Sequence, residues 1–475
     1  MSINKKLIQD TLLYATGSIF NKLITFVLIP LYSYCLLASE LGYYDLILTS
    51  TQLIAAVATL KISDGLYRWL IDHNDDPHYR TAAISSSFLV VLGSILFILI
   101  IHYTVPLPGK LMYQHLICAL IISTILLTHL FQLLRGFRLV KEYAYVSICN
   151  GLSLLLCNIV LLKIFHEGVQ GVICSLIISN TICILYITYR LRLWQFFNLH
   201  AVNRIFIKDM MKYSLPLVYN AVSWWLMGGF DRYLIAGFLG LEANGLYAIS
   251  VKYAAVIILI NSFFLPAWQD MVLKKSSGLN ISSQFTQMLN LYITLLFSLV
   301  ILFTALSKIF TAYVIDPQYG EAWKYIPILL TGNALLALTS FIGTLLMLEK
   351  NTYRIFTTSL LGSITNILIS ILLINGVGLY GPSLGMLGGF LAIFLVRYFY
   401  YKNRISIAIK IQPVLLLSLS FACIVICLFF ADTLFYYTSV FLAIIIFLVL
   451  NRKLGKELFH MAKHRLRPSK AVLHD

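Results

Sequence analysis

Three cations, Lys22, Arg232 and Lys252, stand inside stretches that are otherwise apolar or uncharged apart from Asp231 beside Arg232. A charge at the centre of a bilayer costs about 2.5–3.5 kcal/mol on the insertion scale, so such residues face a protein interior or a water-filled cavity. The chemistry they offer is anion binding. Arg presents a planar fork that grips phosphate through two hydrogen bonds, and Lys supplies a point charge. Arg232 and Lys252 each stand about nine residues from one short turn, which puts both roughly 13 Å below it at helical rise, with Asp231 at the same depth. Two readings follow: a cationic site whose charge Asp231 sets, or an Asp231–Lys252 pair that only joins two helices. Asn21 lies beside Lys22, and Asn220 holds the matching place later in the chain. These amides are suited to sugar hydroxyls, or to interhelical hydrogen bonds worth about 0.6 kcal/mol. Trp224, Trp225 and Tyr233 can stack on sugar faces or simply pack. Arg68 follows an apolar run, as an anion contact or as one more topology-setting charge. His129 is a candidate for titration near neutrality, with packing as the plainer alternative.

Catalytic motifs are missing. No G-x-x-x-x-G-K-[ST] loop is present, so ATP hydrolysis by this chain is not expected. The eight cysteines lie in or beside apolar segments, without a CxxC pair or a histidine cluster, and read as small buried hydrophobes. No cofactor or metal is expected.

These residues must be positioned by membrane-spanning helices. Hydrophobic residues make up 60% of the chain and charged residues 11%, against about 25% charged in a soluble domain. About fourteen runs are long enough for a ~30 Å hydrocarbon core. Their approximate limits are 11–36, 43–63, 81–104, 112–134, 143–164, 169–189, 212–239, 244–265, 285–307, 325–347, 354–374, 379–400, 411–430 and 433–450. The first is read as a retained helix, since no short apolar core with a small-residue cleavage site precedes it. The formal charge of +16 does not point to nucleic acid, because the basic residues occupy short loops. With the N-terminus in the cytoplasm, 28 of the 35 Lys and Arg fall on the cytoplasmic side and four outside, with three within spans. Both termini are then cytoplasmic, with inner-leaflet phospholipid as the partner of the loops and of the basic tail.

The chain also repeats itself. LIQDTLLYATGSIFN (7–21) matches FIKDMMKYSLPLVYN (206–220), pairing Asp10 with Asp209, Tyr14 with Tyr213 and Asn21 with Asn220. After a short insertion, Gly42 pairs with Gly245 and Tyr44 with Tyr247, and GVQGV (168–172) precedes one span as GLYGP (378–382) precedes another. Six spans per half give both halves the same orientation, a parallel repeat. The expected domains are a six-helix lobe over 1–190, a linker over 191–211, a second lobe over 212–404, an extra hairpin over 405–450 and a basic tail over 451–475.

Local features complete the picture: Glu40, Gly42, Tyr43 and Tyr44 opening span two, their echo at Gly245-Leu246-Tyr247, Asp64-Gly65-Leu66-Tyr67-Arg68 after span two, and Phe263-Phe264-Leu265-Pro266-Ala267 after span eight. In this order and spacing the sequence resembles the polysaccharide transporter family. These are O-antigen and repeat-unit flippases, relatives of multidrug and toxin extrusion (MATE) transporters and of the lipid II flippase. The resemblance covers nearly the whole chain. It implies an all-α membrane protein with two parallel six-helix lobes of the MATE type plus a C-terminal helix pair. It further implies an inner-membrane protein that moves an undecaprenyl-diphosphate-linked oligosaccharide to the periplasmic face, with a polysaccharide polymerase and a chain-length regulator as partners. A small-molecule exporter on the same fold, or a membrane-embedded polymerase or ligase, are the alternatives. The short outer loops weigh against the last.

Overall fold

The computed structural model describes residues 2–72, 76–104, 113–274, 281–349, 351–405 and 407–452; the basic tail expected beyond Asn451 lies almost wholly outside them. Among these residues there is no strand. In hydrocarbon every backbone N–H and C=O must find its partner within the segment, and a helix does this without help from neighbours. The N-terminal lobe comprises α1 (Ser2–Cys35), α2 (Ala38–Ala58), α3 (Ile62–Asp72), α4 (Pro77–Thr104), α5 (Gln114–Gly136), α6 (Val140–Asn158) and α7 (Gly168–Leu191). The second lobe comprises α8 (Arg204–Gly228), α9 (Phe230–Phe238), α10 (Leu241–Ala254), α11 (Val256–Lys274), α12 (Ile281–Tyr313), α13 (Ile326–Leu348), α14 (Thr352–Val377) and α15 (Tyr380–Ile405). A hairpin of α16 (Ile411–Phe430) and α17 (Thr433–Leu450) follows.

Among the described residues, twelve helical stretches are long and apolar enough to cross a membrane, which makes the chain a multi-pass membrane protein. The expected count of fourteen included two more. The first expected span, 11–36, lies partly outside the described side chains, and Phe20–Cys35 is its described apolar stretch. The expected span 212–239 is broken into α8 and α9 at Gly228 and Gly229, and it carries Asp231 and Arg232 just past the break. Span eight is likewise interrupted at Ala255, between α10 and α11. Span two ends at Ala58, so the Asp64–Arg68 segment forms a separate short helix, α3, rather than the end of that span. Gly65 lets α3 lie against α8, where a Cβ would stand 2.7 Å from Ser214 Oγ.

The two lobes meet at the end of the bundle that carries the α1–α2 and α9–α10 turns. Gly240 makes the second turn at φ +89°, which suits glycine. Just beyond the turns α2 crosses α10 with almost no side chain between them. A Cβ on Gly42 would stand 2.0 Å from Leu241 O, and one on Gly245 would stand 1.9 Å from Ala38 O. The repeated glycines therefore mark one of the places where the two halves touch, the α3–α8 contact being another. Asn244 Nδ2 donates to Gly42 O across the same crossing at 2.7 Å. A 3-10 segment, Pro317–Lys324, covers this end. Its Gln318 side chain receives Ala38 N–H at 3.0 Å and donates to Leu36 O at 3.2 Å, and Tyr319 Oη donates to Leu36 O at 3.0 Å.

Aromatic stacking fixes the second lobe internally: Phe264 lies 4.3 Å from Tyr292, and Trp268 lies 4.3 Å from Phe341, ring centre to ring centre. The terminal hairpin attaches to α12 through Tyr436 Oη to Ala305 O at 2.7 Å and Asn451 Nδ2 to Ser298 Oγ at 2.8 Å. Its outer face is strongly apolar, with Phe430, Leu434, Phe441 and Leu448 exposed.

Candidate functional site

The break between α8 and α9 and the short helix α10 bring two of the expected cations to the lobe interface. They do not meet Asp231. Arg232 Nε lies 3.1 Å from Asp45 Oδ2, and Lys252 Nζ lies 3.5 Å from Asp45 Oδ1. The expected Asp231–Lys252 pair is therefore corrected: the carboxylate comes from the other lobe, on α2. Exposure falls to 9% for Asp45, 11% for Arg232 and 16% for Lys252, so the three charges interact with little water between them. The arginine is steered further by Gly228 O, to which Nη1 donates, and by the Tyr247 ring 5.5 Å away. Two cations thus answer one carboxylate, and the cluster keeps a positive excess.

Lys252 also lines a cavity of about 240 Å³ between α1 of one lobe and α10 and α11 of the other. Lys22 lines the opposite wall, with Phe26, Ile29, Val256 and Leu259 between. The structure therefore gathers Lys22, Arg232 and Lys252 along one seam between the lobes.

Asp231 turns the other way, into the second lobe. It is fully buried, with Ser370 Oγ at 3.3 Å and Asn366 Nδ2 at 3.4 Å, both neutral donors. Trp225 and Tyr233 also belong to the seam. Trp225 Nε1 donates to Thr49 O at 2.9 Å, Tyr233 Oη shares a hydrogen bond with Ser50 Oγ, and the two rings lie 5.6 Å apart. Trp224 is on the same helix with 37% exposure.

The remaining expected residues are placed elsewhere. Asn21 faces α6, where a Cβ on Gly151 would meet its Oδ1 at 2.3 Å; that oxygen is buried with no hydrogen-bond partner. Asn220, its repeat partner, is half-buried on α8. Arg68 is exposed on α3. His129 is fully buried within the first lobe, its ring nitrogens 2.9 Å from Ser63 Oγ and 3.5 Å from Ser87 Oγ, and its ring edge against Phe88 at 4.6 Å.

Asp45 was the residue missed. It closes the Glu40–Tyr44 motif and is seven residues into α2, roughly 10 Å along it. Arg232, eight residues before Gly240, lies roughly 12 Å from the neighbouring turn. A depth count on both lobes would have matched them.

Residues 7–269 match the family described as polysaccharide biosynthesis protein. The chain belongs to that family. No curated protein matches it. Its fold is shared with solved transporters of the multidrug/oligosaccharidyl-lipid/polysaccharide (MOP) superfamily. An inward-facing multidrug resistance MATE transporter is 13% identical, with 82% of this chain and 94% of that one covered at a TM-score of 0.67. The lipid II flippase MurJ, in an inward closed conformation, is 13% identical over 95% and 100% at 0.64. A MOP-superfamily transporter from Pyrococcus furiosus, described as having a binding pocket of reversed polarity, is 13% identical over 84% and 95% at 0.55.

Proposed function

We propose that the protein is a flippase that carries an undecaprenyl-diphosphate-linked oligosaccharide, an O-antigen or capsule repeat unit, from the cytoplasmic to the periplasmic leaflet. The observation that carries this reading is the seam cavity with Lys22 on one lobe and Lys252 on the other. A lipid diphosphate needs cations away from bulk water, and it needs them on surfaces that can separate. Two lysines also repel the cationic compounds a drug exporter would favour. At about 240 Å³ the cavity falls below the ~300–1,000 Å³ of ordinary ligand pockets, so a saccharide enters only when the lobes part. Alternating access then consists of opening and closing the Gly42–Gly245 crossing against the opposite end of the bundle.

Trp225, Tyr233 and the exposed Trp224 offer stacking surface beside the cation cluster, and Asn21, Asn220 and Arg68 remain the further substrate contacts of this proposal. For ion coupling, the candidates are Asp231 and His129. Asp231 is the better placed, since it neighbours Arg232 on α9 and has only neutral hydrogen-bonding partners. In this reading the protein works in a bacterial inner membrane with both termini cytoplasmic, which the charge asymmetry supports, and a polymerase and a chain-length regulator take up the product.

The test is a clean deletion in a strain without a redundant flippase. Lipid-linked units should accumulate on the cytoplasmic face while surface polysaccharide is lost. Normal surface polysaccharide in that strain defeats the proposal.

A further inference from the structure

The second lobe holds another cationic site, away from the seam. Arg397, near the end of an apolar run, is 5% exposed on α15. Its guanidinium donates to Thr339 O on α13 at 2.9 Å and to Thr358 Oγ1 on α14 at 2.9 and 3.0 Å. Gly343 makes room for it, since a Cβ there would stand 2.9 Å from Nη1. These partners are neutral, and among the described residues no carboxylate pairs with this arginine.

A cavity of about 210 Å³ opens beside it, walled by Arg354, Thr357, Thr358, Arg397 and Tyr400. Arg354 lies over the Tyr400 ring at 3.6 Å, and its Nη1 is buried with no hydrogen-bond partner. Arg404 lies 4.2 Å from the same ring and adds a third cation at the rim. The corresponding helix pair of the first lobe behaves differently: Arg190 meets Glu142 at 2.9 Å, and Tyr186 Oη donates to the same carboxylate.

Two guanidiniums, one of them with an unpaired buried donor, beside two threonine side chains around a small cavity make a receptor for a compact oxyanion. Arginine forks match phosphate oxygens in pairs, and a bound anion supplies the counter-charge that the neutral partners of Arg397 do not. Val396 lines the cavity and is 42% exposed, with Phe399 exposed beside it, so the site opens on an apolar outer surface of α15. We propose that this cavity binds a phosphate group, presented by an anionic phospholipid headgroup or by free phosphate. The proposal does not depend on the nature of the transported substrate.

The test uses the purified full chain in nonionic detergent and follows thermal unfolding. Phosphatidylglycerol, phosphatidylcholine and inorganic phosphate are added separately, the last against chloride at matched ionic strength. Arg397 is left in place because it joins three helices. Wild type and Arg190→Gln should be stabilised by several degrees, whereas Arg354→Gln should need at least tenfold more additive for the same shift. Stabilisation by phosphatidylglycerol alone identifies a headgroup site, and stabilisation by inorganic phosphate as well identifies a general phosphate site. Should Arg354→Gln fail to fold, Thr357→Val, which keeps every charge, should weaken the same response. No stabilisation of wild type by either phosphate source, or equal responses in wild type and the cavity variant, overturns the proposal.

Discussion

Replacing Asp45 with Asn keeps its shape and removes the one negative charge that Arg232 and Lys252 share at 3.1 and 3.5 Å. Both cations then remain, nearly buried, with no counter-charge from the opposite lobe. Breaking a buried ion pair by removing one partner costs about 3–5 kcal/mol. The contact spans the two lobes, so that cost falls on the state in which they touch at the turn end. At about 1.4 kcal/mol per factor of ten, the balance shifts toward lobe separation by about a hundredfold to several thousandfold. Spin labels at Ser39 and Glu242, both exposed beside the glycine crossing, report the separation in a cysteine-free background. Wild type should give a short, narrow distance, Asp45→Asn a long component, and Asp45→Asn with Lys252→Gln a partial return. An unchanged distribution in Asp45→Asn would refute the view that this carboxylate holds the lobes together.

Gly245→Ala should be more damaging than its size suggests, because its Cβ meets backbone at 1.9 Å; overpacking of about 1–3 kcal/mol should appear as lobe separation by the same label pair. Lys22→Gln should leave membrane abundance near wild type and lower transport in proteoliposomes at least tenfold; unaltered transport would remove Lys22 from the site. Gln318→Ala deletes hydrogen bonds worth about 1 kcal/mol each at the covering segment, so transport should survive while the long-distance population rises severalfold. His129→Gln should lower abundance but leave the shape of the pH–transport profile intact, since both ring nitrogens face hydroxyls inside one lobe. A displaced profile would restore His129 as a coupling group.

Spans were legible because apolar length is written locally. The repeat was legible because glycine at 42 and 245 answers one geometric demand twice. Partnership was harder to read. Nothing near Arg232 in sequence says that its carboxylate is 187 residues away on α2, and Asp231 next door is a decoy. Arg397 misled for a related reason: near the end of an apolar run, an arginine that snorkels outward and one that turns inward leave the same trace. Only Gly343 and Thr358, on two other helices, distinguish them. The 3-10 segment over the turn end was missed because its contacts are mostly made to backbone atoms, which carry no residue identity.

The crossing of α2 and α10 has an evolutionary meaning. Gly42 and Gly245 are the same position of a duplicated half, and each lies against its counterpart's helix. A contact between equivalent surfaces is what a two-fold homodimer makes. The seam thus has the geometry of a homodimer interface held within one chain. Within one chain the two copies can diverge, and the divergence is visible a few residues on. The repeat counterpart of Asp45 is Ala248, so the acid survives on one side only, facing cations contributed only by the other. A self-associating half could not keep that arrangement without duplicating it. The single asymmetric lock needs two halves of different sequence, which one chain supplies.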